Sequence, residues 1–278
     1  MTIEDFIQLA ITEDIGNGDI TSLSCVPAQA TSSARLLVKA QGILAGVEVA
    51  LKVWSVLDPD LNVEVYLHDG AEVNSGDVAF LVSGSARSIL KGERLVLNLM
   101  QRMSGIATYT HRLVQQLHGT KAILLDTRKT TPGFRQFEKW AVRIGGGQNH
   151  RNGLYDMVMI KDNHVDFAGG IQQAITACRH YLSHSALHVK VEVECRNLEE
   201  VQEVLKTGGV DRIMLDNFSP EQLRQALEQI KGRFETEASG GITETNLRSY
   251  AETGVDYISI GALTHSYRSL DLSLKAVS

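Results

Sequence analysis

The stretch Leu124-Leu125-Asp126-Thr127-Arg128-Lys129-Thr130-Thr131-Pro132-Gly133 runs from apolar residues into a carboxylate, two cations and three hydroxyls before Pro-Gly turns the chain. Polarity of that density is costly inside a core and useful where a ligand is held. Other apolar runs end the same way: Ile160 in Lys161-Asp162-Asn163-His164, Val193 in Glu194, Leu215 in Asp216-Asn217, Ala238 in Ser239-Gly240-Gly241, and Ile260 in Gly261 with His265 nearby. Any one of these ends reads as a cap, a turn or a surface charge. In series they read as one site.

The chemistry of these ends divides into three kinds. Arg128, Lys129 and Lys161, with His150-Arg151 after Gly145-Gly146-Gly147, suit carboxylates and phosphates, Arg as a planar fork and Lys as a point charge. Glu194 and Asp216 suit sugar hydroxyls or a hydrated Mg2+, which keeps most of its waters and takes one or two protein carboxylates. The glycine-rich ends Ser239-Gly240-Gly241 and Gly261 suit a phosphate cradled by backbone N-H groups. A ligand with a phosphate, a sugar and further anionic groups would use all three. An acid/base pair for glycoside hydrolysis is the other reading of Glu194 and Asp216, and the surrounding cations argue against a neutral sugar substrate. No convincing Ser-His-Asp or Cys-His arrangement points to a covalent nucleophile.

The elements that must position these residues repeat. Strands are expected at 122–125, 157–160, 189–194, 212–215, 236–238 and 257–260, with amphipathic helices between them, which predicts parallel pairing. Asn197 to Glu200 has the N-cap and N3 acid of a capping box, with a stop at Gly208-Gly209. Ser219-Pro220-Glu221-Gln222 sets a cap, a proline at the first helical position and a Gln at N3, and Thr243 is expected to open the helix ending near Gly254. In the run from Val189 to Cys195, alternation puts Val189, Val191, Val193 and Cys195 on one face and Lys190, Glu192 and Glu194 on the other. A sheet covered by helices on both sides would want apolar residues on both faces. A barrel with a polar interior near its mouth fits better, and barrel sites gather where the strands end.

The first 105 or so residues follow an α+β pattern instead. It comprises a short amphipathic helix at 3–10, a turn-rich loop at 13–19, strands at 33–40, 63–68 and 78–83, and a helix at 47–57. A long helical stretch at 87–117, with a break expected at Ser104-Gly105, leads into the second half. The expected organisation is an N-terminal domain over 1–105, a catalytic domain over 106–264 and a C-terminal segment over 265–278 packing on the first domain.

The totals narrow the class. The 278 residues are 43% hydrophobic, enough for a full core, and no apolar run approaches the length of a membrane helix. The acidic start, Met1 to Asp5, is unlike a signal peptide, so a cytoplasmic protein is expected. Cys25, Cys178 and Cys195 lie far apart and form no zinc or disulfide pattern. A net charge of -6 excludes a general nucleic-acid binder. The segment 125–164 nevertheless carries seven cations against four anions, a positive patch in an acidic chain that can concentrate a small anion. Arg135, Lys139 and Arg143, at helical spacing, are expected to form a solvated helix face.

The motifs Asp126 to Gly133, His150 to Leu154, Ile160 to His164, Val191 to Glu194 and Leu215 to Phe218, with Glu13 to Ser22 and Ser239 to Ile242, closely resemble the quinolinate phosphoribosyltransferases. The resemblance spans nearly the whole chain in order. It implies an α/β fold, an incomplete parallel α/β barrel with an N-terminal α/β-sandwich domain, in a homodimer. The implied reaction converts quinolinate and phosphoribosyl pyrophosphate to nicotinate mononucleotide, pyrophosphate and CO2 with Mg2+, in the synthesis of NAD. Arg128, His150, Arg151 and Lys161 would bind the two quinolinate carboxylates, joined by Arg102 of a partner subunit. Lys129, Glu194, Asp216, Ser239, Gly240, Gly241, Gly261 and His265 would line the phosphoribosyl pyrophosphate side, with Glu194 and Asp216 reaching Mg2+ through water. Lys129, Lys161, Glu194 and Asp216 are the expected catalytic residues. A relative of the same architecture acting on another anion, or a non-catalytic binder of phosphorylated metabolites, would share many of these features.

Overall fold

The computed structural model describes residues 2–277, which divide into two compact units. The first takes residues up to 111, 131–146 and from 266 onward, and the second takes 112–130 and 147–265. By compactness the long helix is divided between the units at His111/Arg112, and the stretch around Arg135–Ile144 belongs with the first unit.

A four-stranded antiparallel sheet forms the first unit, in the order Leu272–Val277, Thr31–Val38, Val78–Ser85, Asn62–Val65. Its register sets Leu36 between Phe80 and Leu274, and Ala34 between Val82 and Ala276. Ala34, Leu36, Phe80, Val82 and Leu274 are all buried, as a strand period of two requires of a sheet with one covered face. Two-residue strands Gly42–Ile43 and Glu72–Val73 pair separately. Helix Val47–Leu57 buries Val47, Ala50, Val53 and Trp54 at helical spacing. Helix Ile3–Ile15 is longer than the sequence signals imply: the Thr2/Asp5 capping box starts it and the first glycine, Gly16 at φ 54°, ends it, so Glu13 to Ile15 are helical.

Helix Ala86–Gln116 runs unbroken through Ser104-Gly105. Packing explains both residues. The Ser104 hydroxyl accepts from the Ala45 N-H at 2.8 Å and donates to the Ala45 carbonyl at 3.0 Å. A Cβ on Gly105 would collide with the Arg268 carbonyl oxygen and fall 2.9 Å from Ser269 Cα, so the glycine marks a close crossing. Helix Arg135–Ile144 joins the same core through Phe137, whose ring packs at a tilt against Phe6 and Phe134 at centroid distances of 4.8 Å. The face expected to be solvated is not uniformly so, since Lys139 is buried while Arg143 is exposed.

Six parallel strands form the second unit in the order Ile123–Leu125, Tyr257–Ser259, Glu235–Ser239, Arg212–Asp216, Val191–Cys195, Val158–Ile160. The first strand pairs with the last, as in a barrel, and no pairing among the described residues joins it to the second. Gln148 bridges beside Leu125 in place of a strand, donating to the Leu124 carbonyl at 2.8 Å and accepting from Asp126 N-H at 3.1 Å. The result is an incomplete parallel barrel. Helices Asp162–Ala168, Ile171–His184, Leu198–Thr207, Pro220–Ile230, Leu247–Ala251 and Ala262–His265 follow the strands.

The predicted signals at these helices hold in most places. Ser219 and Gln222 make the full capping box with Pro220 in the first turn. Asn197 caps its helix, but the Glu200 carboxylate takes the Arg196 N-H rather than closing the box. Thr243 precedes its helix by a turn, and Asn246 is the N-cap. Val191, Val193, Cys195, Ile213, Leu215 and Ile258 are fully shielded, whereas the alternate positions Glu192, Glu194, Arg212 and Glu237 carry charge into the interior.

Candidate active site

The strand tips of the second unit surround one cavity of about 740 Å³. Arg128, Lys129, His150, Arg151, Lys161, Glu194, Asp216, Ser239, Gly240, Gly241, Gly261 and His265 all line it. Thus every expected site residue except Arg102 stands at one mouth. A second hollow of about 570 Å³ opens at the strand starts. Its lysines are already matched, Lys121 to Asp256 at 2.7 Å and Lys190 to Glu235 at 3.0 Å, which makes it a poor anion site.

Cations occupy one side. Arg128 is half-buried and its Nε finds no hydrogen-bond partner, a donor left over for a ligand. Arg151 donates through Nη1 to the Met157 carbonyl at 3.2 Å. Burial, and after it the like charge of Arg128 crowded beside it, pulls its proton affinity below the ordinary guanidinium value. Such crowding is relieved when an anion enters.

Lys161 ends its strand and begins the helix Asp162–Ala168, with its N-H accepted by His164 Nδ1 at 2.9 Å. Its Nζ reaches Glu194 Oε2 at 3.1 Å. Asp216 takes the Asn217 amide at 2.6 Å, and its carboxyl is pushed up by burial and then by Glu194. Asp216 and Glu194, at neighbouring strand tips, are two carboxylates that could together hold a divalent cation.

The remaining wall is glycine. Gly240 has φ +86°, and a Cβ there would strike the Asn217 side chain and its backbone N at 2.9 Å. A Cβ on Gly261 would fall 2.9 Å from Lys129 Cδ and 3.2 Å from His265 Nε2. The Lys129 carbonyl is anchored by the Thr264 hydroxyl at 2.9 Å. Small residues here let backbone approach a ligand closely.

Below the mouth lies a buried cluster. Asp126, fully buried, accepts the His150 backbone N-H at 2.8 Å, so the carboxylate of the opening motif is a brace between two loops rather than a ligand group. His150 Nδ1 accepts the Arg151 N-H at 2.6 Å, and Nε2 stands 3.0 Å from Glu192 and 3.2 Å from Glu237 without pointing squarely at either. Arg212 donates to Glu237 at 2.9 Å and lies 3.9 Å over the Tyr257 ring.

Burial works against a charged His150, but the two carboxylates outweigh it and raise the ring to about 9. Burial, with Glu237 beside it, raises Glu192 to about 7. Both values mean that the cluster retains an additional proton near neutrality. The Arg151 N-H occupies Nδ1, so the contact geometry puts that proton on the carboxylate side. Glu237 and Arg212 were not among the expected site residues. The signal was present, since Glu237 lies two residues before Ser239 and so shares its face.

Arg102 belongs to the first unit, where it donates to Glu138 and Thr131 and lies between the Phe134 and Tyr267 rings at 4.9 and 5.2 Å. Glu138 is fully buried and also accepts the Thr131 N-H at 3.0 Å. Within this chain its charge is therefore matched. No helix among the described residues is long and apolar enough to cross a membrane.

Comparison with known proteins covers nearly the whole chain. Residues 19–104 match the quinolinate phosphoribosyl transferase N-terminal domain and residues 106–275 the C-terminal domain. A Nicotiana glauca protein named mitochondrial quinolinate phosphoribosyltransferase [decarboxylating] 2 is 47% identical over 98% of this chain and 82% of its own. A Bacillus subtilis protein named probable nicotinate-nucleotide pyrophosphorylase [carboxylating] is 44% identical over 94% of this chain and 89% of its own. The crystal structure of NadC from Streptococcus pyogenes superposes with a TM-score of 0.93 at 39% identity, covering 99% of this chain and 97% of that one. With both domain models matched in order and this identity sustained end to end, the chain belongs to the quinolinate phosphoribosyl transferase family.

Proposed function

We propose that this chain is a decarboxylating quinolinate phosphoribosyltransferase, a pentosyl-transfer enzyme of NAD biosynthesis. It joins quinolinate to phosphoribosyl pyrophosphate and yields nicotinate mononucleotide, pyrophosphate and CO2. The observation that carries the reading is a single cavity lined on one side by Arg128, Arg151 and Lys161 and on the other by Glu194, Asp216 and the glycine tips. A diacid fits the first set and a phosphorylated sugar the second.

In this reading Arg128, Arg151 and Lys161 grip the two carboxylates and aim the pyridine nitrogen at the anomeric carbon, with His150 beneath them. Glu194 and Asp216 hold the ribose hydroxyls, and the backbone of Ser239, Gly240, Gly241 and Gly261, with His265, faces the phosphate. Lys129 faces the departing pyrophosphate. Glu194 and Asp216 would hold Mg2+, which when bound would supply charge stabilisation for that leaving group. The anomeric C-O bond breaks and the C-N bond forms, leaving the ring nitrogen quaternary. The bond to the adjacent carboxylate then breaks, CO2 leaves, and its electron pair stays on the ring carbon beside the cationic nitrogen until a proton arrives. That step needs a dry, fixed pocket more than a dedicated base.

The reading also includes a homodimer in which Arg102 completes the cation set of the partner's site, and a cytoplasmic location. Incubation with quinolinate, phosphoribosyl pyrophosphate and Mg2+ tests it: pyrophosphate and CO2 should appear one for one. Binding without release of either would mark a non-catalytic binder, and turnover of nicotinate in place of quinolinate a different specificity.

A further inference from the structure

We infer that His150 is a positioning residue and not a ligand of the substrate carboxylate, and that Glu192, Glu237 and Arg212 act through it to fix Arg151 at the cavity. The inference rests on the carboxylate-binding reading of Arg151 above. An imidazole grips a carboxylate only by pointing an N-H at it. Here Nδ1 is taken by a hydrogen bond and Nε2 is turned into the interior toward two carboxylates. Nδ1 accepts the Arg151 N-H at 2.6 Å, which makes it an acceptor and unable to donate to an anion. Nε2 faces inward between Glu192 at 3.0 Å and Glu237 at 3.2 Å.

The ring therefore joins two things. On one side is the backbone of Arg151, whose guanidinium lines the cavity. On the other is a buried charge network continued by Arg212, which donates to Glu237 at 2.9 Å and to Glu235 at 3.1 Å. Asp126 fixes the His150 backbone at 2.8 Å, so the loop carrying Arg151 is held by one side chain on each side of the ring's Cα. A buried network of this kind rigidifies what it holds, because breaking any link leaves a desolvated charge behind.

A buried carboxylate pair with a histidine could instead suggest a metal site. The Arg212 guanidinium on Glu237 argues against it, since it already supplies positive charge to one of the three donor groups.

Nitrogen NMR of histidine-labelled enzyme tests the inference, with the His150 signals identified by their loss in His150→Gln. The expected spectrum near neutral pH shows a bare Nδ1 and a protonated Nε2, unchanged when quinolinate is added to saturation. A protonated Nδ1, or a change of tautomer on adding quinolinate, would overturn the assignment. If quinolinate neither binds nor reacts, the functional reading fails while the ligand-free spectrum still decides the state of His150. In kinetics, Glu237→Gln should raise the KM for quinolinate about tenfold, the worth of one hydrogen bond to a charged group, with a much smaller fall in kcat and no change in the KM for phosphoribosyl pyrophosphate. An unchanged quinolinate KM in a folded variant, or equal losses in all three parameters, would count against positioning.

Discussion

Lys161 Nζ stands 3.1 Å from Glu194 Oε2, so a residue assigned to the diacid touches one assigned to the sugar. The side chain of Lys161 remains 46% exposed while that of Glu194 is 9% exposed, so solvent reaches the lysine and hardly the carboxylate.

Replacing Lys161 with Ala should cost activity far more than stability. A half-exposed ion pair contributes on the order of 1 kcal/mol or less, so the melting temperature should fall by no more than about 3 °C. Turnover should drop about a hundredfold or more, as expected when a preorganised charge is removed from a reacting centre. Steady-state kinetics beside a thermal melt checks this, and a folded variant with ordinary turnover would take Lys161 out of the site.

Stability should decline as pH rises from near 5 to 9. The folded state raises Glu192 to about 7, and the buried cluster around His150 keeps one additional proton up to about 9, both above the ordinary values, so the folded state holds protons that the unfolded chain releases. The sign follows: the contribution is present at low pH and is lost as pH climbs through those two values. Melting curves at fixed ionic strength should show the decline, and Glu192→Gln should flatten it. A wild-type curve that rises across the range would refute the assignment.

Gly240→Ala should impair phosphoribosyl pyrophosphate more than quinolinate. The added Cβ must adopt φ +86° and press on Asn217, whose amide holds Asp216 at 2.6 Å. A rise in the KM for phosphoribosyl pyrophosphate, with the quinolinate KM little changed, is the expected result. Equal effects on both substrates would mean that this tip does not serve the sugar phosphate alone.

Subunit mixing tests the place of Arg102. If sites are shared across a two-fold dimer, combining inactive Arg102→Ala and Lys161→Ala protomers puts both defects into one site of each mixed dimer and leaves the other intact, restoring about a quarter of wild-type activity. No recovery after proven exchange of subunits would mean that Arg102 serves its own chain, where Glu138 and Thr131 already hold it.

Much of this was legible in the residues themselves. Each barrel strand was visible because apolar runs ended in chemistry-bearing residues, and the Ser219 and Asn197 caps had side chains that could serve one role only. The site at the tips followed because parallel strands put their ends on one face. What stayed hidden depended on distant partners. Gly105 looked like a helix breaker until Arg268 arrived against it, and the charge of Lys139 suggested solvent where the fold supplies burial. Glu192 was placed on the inner face by alternation, yet its neighbours Glu237 and Arg212 come from other strands, and no local pattern announces that three separated charges will share one interior.

The edge strand Leu272–Val277 lies against Thr31–Val38, two stretches separated by nearly the whole chain. During synthesis the earlier of them waits, one margin bare, until the ribosome has delivered the later one. The sheet that begins first is thus completed last, and a chain stalled before residue 272 would carry an exposed β margin open to wrong partners.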